Sequence, residues 1–347
     1  MINKEFWGKQ KVIITGHTGF KGFWMTLLLN ELGSEVYGIS LKNNSSEIYK
    51  IHSKYQKLAN ETFFDIRDEH KVTSYLNKIK PDIIFHLAAQ SLVISGQLNP
   101  KETLETNIIG TFNILNWSSK EKEKVSTIVA TTDKVYRNPN KKNTEEDELG
   151  SFEFYGASKV GAENVINAFN LDPDTKNKAS VVRSGNVLGG GDGGENRLLT
   201  DLISAIKNNE NILIRNPNSI RPWQFVLDSV GGYLLVAQEN FNTSVPEIYN
   251  LNLIDSGEVT VLELTNKLID KFNSSIDVEI VENKKFNEAK ELRLDSNKAQ
   301  NKLNWKNIYN IDSIIDNIYE WDISKNTDEI CSITKNQINK YLEQVTN

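Results

Sequence analysis

Lys11-Val12-Ile13-Ile14-Thr15-Gly16-His17-Thr18-Gly19-Phe20-Lys21-Gly22 decides the fold. Its apolar start reads as a buried strand, and three glycines at G-x-x-G-x-x-G spacing follow at once. Beyond them Trp24, Leu27, Leu28 and Leu32 recur at helical spacing, Gly33 supplies a stop, and Glu35-Val36-Tyr37-Gly38-Ile39-Ser40 reads as a second strand. Glycines between a strand and a helix permit a tight turn and let backbone N–H groups and the helix N-terminus approach a pyrophosphate. Gly16, Thr18, Gly19, Phe20 and Gly22 are therefore the first candidates for dinucleotide contact. The alternative, a tight turn without a ligand, fits the glycines alone; the strand and helix stand where the ligand reading needs them.

The same rhythm continues through Thr62-Phe63-Phe64, a helix near 69–79, and Asp82-Ile83-Ile84-Phe85-His86-Leu87 after Pro81. A helix near 101–120, the strand Ser126-Thr127-Ile128-Val129-Ala130, a helix from about 155 to 170 and the strand Ala179-Ser180-Val181-Val182-Arg183 complete it. Continuous apolar strands separated by helices predict an α/β, Rossmann-like doubly wound parallel sheet, covered on both faces. Past about 190 the pattern breaks into a Gly-rich loop, short strands such as Ile212-Leu213-Ile214, and helices near 198–207, 261–272, 311–321 and 332–345. This predicts a dinucleotide-binding domain over 1–185 and a smaller, mixed C-terminal substrate domain over 186–347, with some segments crossing back.

The chain has 347 residues, of which 38% are hydrophobic, enough to bury a core, and its net charge of -6 argues against nucleic-acid or anionic-membrane binding. One cysteine, Cys331, excludes a disulfide scaffold and suits a reducing cytoplasm. No stretch approaches the roughly 18 apolar residues of a membrane span, so a cytoplasmic protein with no membrane partner is expected. His17, His52, His70 and His86 lie far apart with no cysteine pair among them, so no metal site is expected; His86 reads as a packed residue at a strand end.

The second strand ends in Ser40-Leu41-Lys42, with no acid to grip a ribose diol. Ser40 and Lys42 can instead meet a 2′-phosphate, which leaves NAD and NADP both open. Asp65 and Ile66 follow the third strand and are candidates for the adenine amine; the other reading of Asp65 is a helix N-cap or loop carboxylate.

Tyr155 and Lys159 stand four apart, on one face of the helix expected there. A phenol titrates near 10 and needs neighbouring positive charge to act as a base at neutral pH; Lys159 and an oxidised nicotinamide can supply it. Such a pair occurs by chance on many surface helices. It gains weight from Thr131-Thr132-Asp133-Lys134 just upstream, where a hydroxyl, an acid and an amine end a strand at the rim that faces a ligand crevice. Four of the chain's seven arginines, Arg183, Arg197, Arg215 and Arg221, fall between 183 and 221, and guanidinium forks suit phosphate.

Together the glycine loop, the Thr-containing strand end and the Tyr-x-x-x-Lys pair resemble extended short-chain dehydrogenase/reductases acting on nucleotide sugars. The resemblance is closer still to the CDP-glucose 4,6-dehydratase family and runs through nearly the whole chain. It is carried by the loop from Gly16 to Gly22, His86-Leu87-Ala88-Ala89-Gln90-Ser91-Leu92-Val93, Glu105-Thr106-Asn107, Thr132-Asp133-Lys134-Val135-Tyr136, Gly185-Asn186-Val187-Leu188-Gly189-Gly190-Gly191-Asp192 and Arg221-Pro222-Trp223-Gln224. Tyr-x-x-x-Lys marks the superfamily only, whereas the Phe-Lys-Gly loop and the Thr-Asp-Lys triplet are specific.

The resemblance implies a nicotinamide cofactor, a nucleotide-diphosphate hexose substrate and a set of roles. Tyr155, aided by Thr132, would take the proton of the hexose 4-hydroxyl as hydride leaves C4, giving a ketone that acidifies C5–H. Lys134 would take that proton, Asp133 would protonate the departing 6-hydroxyl, and hydride would return to C6. This asks Asp133 to be protonated and Lys134 neutral when each acts. Lys159 would hold the nicotinamide ribose and Ala88 would lie against the cofactor. Gln90, Asn186, Arg197 and Arg221 would bind the substrate, the arginines at its pyrophosphate. The helices near 101–120 and 155–170 would form a homodimer, with Trp117 and Phe169 as interface anchors or simply core. Epimerases of this superfamily carry small residues where Asp133 and Lys134 stand, so the triplet favours dehydration. Ile94, Gln97, Phe154, Gly193 and Phe225 depart from the family pattern near the expected sugar pocket.

Overall fold

The computed structural model describes residues 1–42, 45–55, 57–194, 197–253, 259–281 and 291–346. Seven strands, β1 (Lys11–Thr15), β2 (Glu35–Ser40), β3 (Asn60–Phe63), β4 (Ile83–His86), β5 (Ser126–Ala130), β6 (Ala179–Ser184) and β7 (Ile248–Leu251), form one sheet. Their order is 3-2-1-4-5-6-7 and every pair is parallel. Because successive strand residues point to opposite faces, Val12, Ile14, Ile83 and Phe85 join one buried cluster while Ile13 and Ile84 join another. Helices cover both faces, as the doubly wound reading requires.

The helix Phe20–Glu31 buries nine of its twelve residues, because it is enclosed by the sheet and by the helices Val226–Thr243 and Thr327–Val345. Val226–Thr243 was not expected. It is apolar on nearly all sides, so it lacks the one-faced periodicity that marks an amphipathic helix, and it packs on β5 and β6. The chain then adds β7 to the sheet beside β6. The remaining segments after 186 build helices such as Leu198–Asn208, Val261–Lys271 and Ile311–Asp322, and the two-stranded pairs Val187–Leu188 with Gln224–Phe225 and Ile212–Ile214 with Val278–Ile280.

One expected helix is three pieces. Pro100–Leu104 and Gly110–Ser118 are α-helical, and between them Glu105–Ile109 forms a π-helical turn. Such a turn adds a residue to the helix and re-aims a side chain. Here it carries Asn107, whose carboxamide is buried in the helix Phe154–Leu171 interface, donating to Ser158 Oγ at 2.7 Å.

Candidate active site

The sheet order reverses between β1 and β4, and in an open α/β sheet the crevice forms at the carboxyl ends of strands at such a point. Gly16 follows β1 with φ of 77°, and a Cβ there would lie 2.9 Å from the Ala88 nitrogen, just past β4. A Cβ on Gly22 would lie 2.2 Å from the Gly16 oxygen. Glycine is thus required at both, one for a left-handed turn against a neighbouring backbone and one for close packing of loop on helix. No side chain caps the helix behind Gly19, so its first turn keeps N–H groups for an anion. This cradle fits the diphosphate of a dinucleotide.

The outer part of the loop is braced by side chains. Ser40 Oγ accepts the Thr18 N–H at 3.2 Å and lies 3.0 Å from His17 Nδ1, while His17 Nε2 lies 3.2 Å from Glu61 Oε1. Burial lowers the His17 pKa, with Glu61 opposing. Ser40 is therefore spent inside the loop, and Lys42 beyond it is exposed. Asp65 binds Arg67, accepting from its Nη2 at 2.6 Å, and that contact holds the carboxyl below its ordinary range. The N-cap of the next helix is Asp68, so Asp65 is no cap but a loop carboxylate, its Oδ1 also accepting the Arg67 N–H at 2.9 Å. Ile66 turns its side chain into the core against Gly110.

Tyr155 and Lys159 project from the helix Phe154–Leu171, which Glu153 caps by accepting the Tyr155 and Gly156 N–H groups at 2.7 and 2.6 Å. Lys159 is buried and donates to the Ala130 carbonyl at 2.9 Å; burial pushes its pKa down to about 8, with Glu163 opposing. Burial raises the Tyr155 phenol above its ordinary value, with neighbouring Thr132 opposing. The expected lowering by Lys159 is not what the protein's own groups produce; the opposing pulls come from the Thr132 hydrogen bond and the Arg197 charge. A buried phenol loses more by desolvation than these return.

Thr132, Asp133 and Lys134 share a short turn at the end of β5. Asp133 Oδ1 accepts from Thr132 Oγ1 at 2.9 Å and from Lys134 Nζ at 3.2 Å. Oδ2 of the same carboxylate is buried, the residue being 2% exposed, and has no partner among the described residues. A buried carboxylate oxygen with no donor is costly, and it marks a place where a ligand's hydroxyl can serve. Lys134 keeps 21% of its side chain exposed beside it.

Lys21 belongs to the same cluster and was overlooked by sequence reasoning. Burial and the charges of Lys159 and Arg197 push its pKa down to about 7, Asp133 opposing, and its Nζ donates to the Tyr233 hydroxyl at 3.5 Å. Its place in the first helical turn, between Gly19 and Gly22, was the available signal.

Other expected residues fall less directly. Gln90 is turned inward, donating to the Thr103 hydroxyl at 2.8 Å and accepting the Leu92 N–H at 2.6 Å, so it braces the loop after β4. Ala88 donates its N–H to Thr15 Oγ1 beside Gly16. Arg197 clamps both oxygens of Asp192 at 2.6 and 2.8 Å. Arg221 is buried and donates to the Ile220 carbonyl, and half-buried Asn186 accepts the Gln224 N–H through its carbonyl. His86 is packed as expected, bonded to Thr15 and Thr111, and burial pushes its pKa down to about 3. Phe225 packs in the core with its ring centroid 4.5 Å from that of Tyr309, which removes it from a sugar pocket. Trp117 is core too, its indole donating to Asn77.

The profile of the GDP-mannose 4,6 dehydratase family matches residues 13–318. The chain belongs to this family. Across its full length it is 33% identical to the CDP-glucose 4,6-dehydratase of Salmonella typhimurium, with 100% of each chain covered. Membership in this dehydratase family makes the chain an NAD-dependent hydro-lyase acting on nucleotide sugars. Solved structures of similar fold include the UDP-glucose 4-epimerase of Thermotoga maritima with UDP-glucose, at a TM-score of 0.79, 23% identity and coverage of 89% of this chain and 97% of that one. The UDP-glucuronic acid 4-epimerase of Bacillus cereus, solved with UDP-glucuronic acid and NAD, matches at 0.79 and 18%, covering 90% and 98%. Among the described residues no helix is long and apolar enough to cross a membrane.

Proposed function

We propose that this chain converts CDP-glucose to CDP-4-keto-6-deoxyglucose and water. The observation that carries the reading is the Asp133–Lys134 pair: one oxygen bonded to the amine and to the Thr132 hydroxyl, the other buried and, among the described residues, unpartnered. An epimerase needs reversible oxidation at C4 and has no use for an elimination pair.

When bound, NAD would supply the acceptor for hydride from C4 and its donor to C6, and a positive ring whose charge would favour a phenolate. Tyr155 Oη takes the 4-hydroxyl proton, with Thr132 holding the phenol in line. Lys159 Nζ would hold the ribose of the cofactor. Lys134 Nζ takes the C5 proton once the ketone at C4 has acidified it, and gives a proton back to C5 as hydride reaches C6. Asp133 gives a proton to the 6-hydroxyl as it leaves as water. The 3.2 Å contact between Lys134 Nζ and Asp133 Oδ1 sets the two groups side by side, as a pair serving adjacent carbons C5 and C6 requires.

Arg197 and Arg221 meet the diphosphate, Arg197 exchanging its bond to Asp192 for phosphate oxygens, and Gln90 and Asn186 complete the substrate side. Gly16, Thr18, Gly19, Phe20, Gly22, Ala88, Asp65 and Ile66 shape the cofactor cleft, with Ser40 acting through the loop. NAD rather than NADP fits Ser40's inward hydrogen bonds. We further propose a cytoplasmic homodimer through the helical stretch near 101–120 and the helix Phe154–Leu171, where Ile109, Phe112 and Leu171 are exposed and Phe112 packs on Phe169.

A panel of CDP-, dTDP-, UDP- and GDP-hexoses, each with NAD and NADP and scored by mass spectrometry for loss of 18 Da (the mass of water; on the order of one water per turnover), tests the reading. Water loss from CDP-glucose above the others is expected; a mass-neutral change of any hexose would favour epimerisation instead.

A further inference from the structure

The helix that carries Tyr155 and Lys159 carries a second buried charge one turn on. Glu163 is 1% exposed, and residues four apart on a helix have Cβ atoms about 5–6 Å apart. Its Oε1 accepts from Thr131 Oγ1 at 2.7 Å and from Arg183 Nε at 3.0 Å, and its Oε2 accepts from Arg183 Nη2 at 2.6 Å. Arg183 reaches on to the Tyr136 hydroxyl at 2.9 Å and the Glu145 carbonyl at 3.1 Å, and Tyr136 donates to Asn250 at 2.6 Å. A closed network of this kind therefore joins β6 and β7 to residues on either side of the Thr132-Asp133-Lys134 turn.

We propose that Glu163 is a positioning residue of this same site: its carboxylate is the counter-charge that keeps Lys159 cationic, and through Thr131 it fixes the strand end that presents Thr132, Asp133 and Lys134. The inference rests on the roles proposed for Tyr155 and Lys159.

A buried ion pair seldom stabilises a fold more than well-packed apolar residues would, so stability alone gives weak reason for one here. Its location gives a better one. Lys159 Nζ bonds a neutral carbonyl, and the groups near it are mostly unhelpful to a cation. Lys21, from the helix Phe20–Glu31, repels it; His86, from β4, is neutral and buried; and Tyr155, on its own helix, is a protonated phenol. Asp133, at the end of β5, is engaged with Lys134 and Thr132. Glu163 is the carboxylate that opposes the burial of Lys159. Arg183 and Thr131 engage both its oxygens, which stops it from collapsing onto Lys159 as a direct pair.

The test is the titration of Lys159 itself, read by carbon-13 NMR of labelled lysine in the cofactor-free chain and assigned with Lys159→Met. In the unaltered protein the midpoint is expected near pH 8. In Glu163→Gln it should fall by about one unit or more, and the alkaline side of the activity profile should move with it. Glu163→Gln leaves Arg183 buried alone and can unfold, so the double variant Glu163→Gln/Arg183→Met removes both charges and should show the same fall. Glu163→Asp, with the charge kept but withdrawn, should fall between. An unmoved Lys159 midpoint in either folded neutral variant overturns the proposal. Failure of the dehydratase reading looks different: the unaltered chain would then lack turnover, while the NMR midpoint would still report on Glu163.

Discussion

Two carboxylate–cation pairs flank consecutive threonines at the end of β5, and they are built in opposite ways. Behind the strand, Glu163 meets the Arg183 fork with both oxygens and takes Thr131 as well, with side chains 1% and 2% exposed. At the crevice, Asp133 offers Lys134 one oxygen and leaves the other buried and unpartnered. The planar fork satisfies a carboxylate and holds it still, whereas the single flexible amine can give or take a proton. A pair that is complete is a support; a pair left incomplete where a ligand arrives is ready for chemistry.

The largest effect should come from the group both pairs serve. Tyr155→Phe removes the base that begins the reaction, so product formation should drop by about 10³-fold or more, with no nicotinamide absorbance at 340 nm (roughly the reduced-cofactor band) gained on adding substrate. Retained turnover would sink the assignment of the base.

Breaking the crevice pair comes next. Lys134→Ala and Asp133→Asn should each slow water loss by about 10² to 10⁴-fold while calorimetric NAD affinity stays unchanged. Reduced cofactor should then accumulate, because oxidation still runs and elimination does not. Normal turnover by both variants would remove the elimination role.

The same pairs should part on stability. Glu163→Gln strands a buried guanidinium and should cost about 3–5 kcal/mol in urea unfolding. Asp133→Asn, which gives the orphaned oxygen's site an amide and retains an acceptor, should cost less than about 1 kcal/mol. If Asp133→Asn proved the more damaging of the two, the distinction between support and reactive pair would be lost. A third pair supplies the baseline: Lys267 and Asp312 meet at 2.8 Å with side chains 48% and 75% exposed, and Lys267→Ala should change stability by about 0.5 kcal/mol or less.

Burial also sets an acid limit. His86 titrates near 3 when folded against an ordinary 6.5, so its contribution to stability is complete above 6.5 and is lost progressively as pH falls from there toward 3. Unfolding midpoints at pH 7.5 and pH 5 (roughly one and a half units either side of the unfolded value) should differ, and His86→Gln should narrow the gap slightly.

Much of the scaffold was legible in the chain because its signals are local. The strand Lys11–Thr15, the glycines after it and the helix Glu69–Ile79 follow from apolar runs, helical spacing and turn residues within a dozen positions. Tyr155 and Lys159 share a helix face by spacing alone. Val226–Thr243 was hidden, since a helix enclosed on nearly every side shows no polar stripe, and the π-turn at Glu105–Ile109 was hidden because its cause is packing against the helix Phe154–Leu171.

The sequence by itself determined the alternation of strand and helix, the glycine turn and which chemical groups stand at strand ends, because each depends on near neighbours along the backbone. Tertiary structure alone decided which way those groups face. It turned Ser40 toward His17 and Gln90 toward Thr103, joined Glu163 to Arg183 across 20 positions, brought Lys21 beside Lys159, and left Asp133 Oδ2 without a donor. Hydrogen bonds and desolvation act through space over a few ångströms, and only the closed sheet with its packed helices sets those distances.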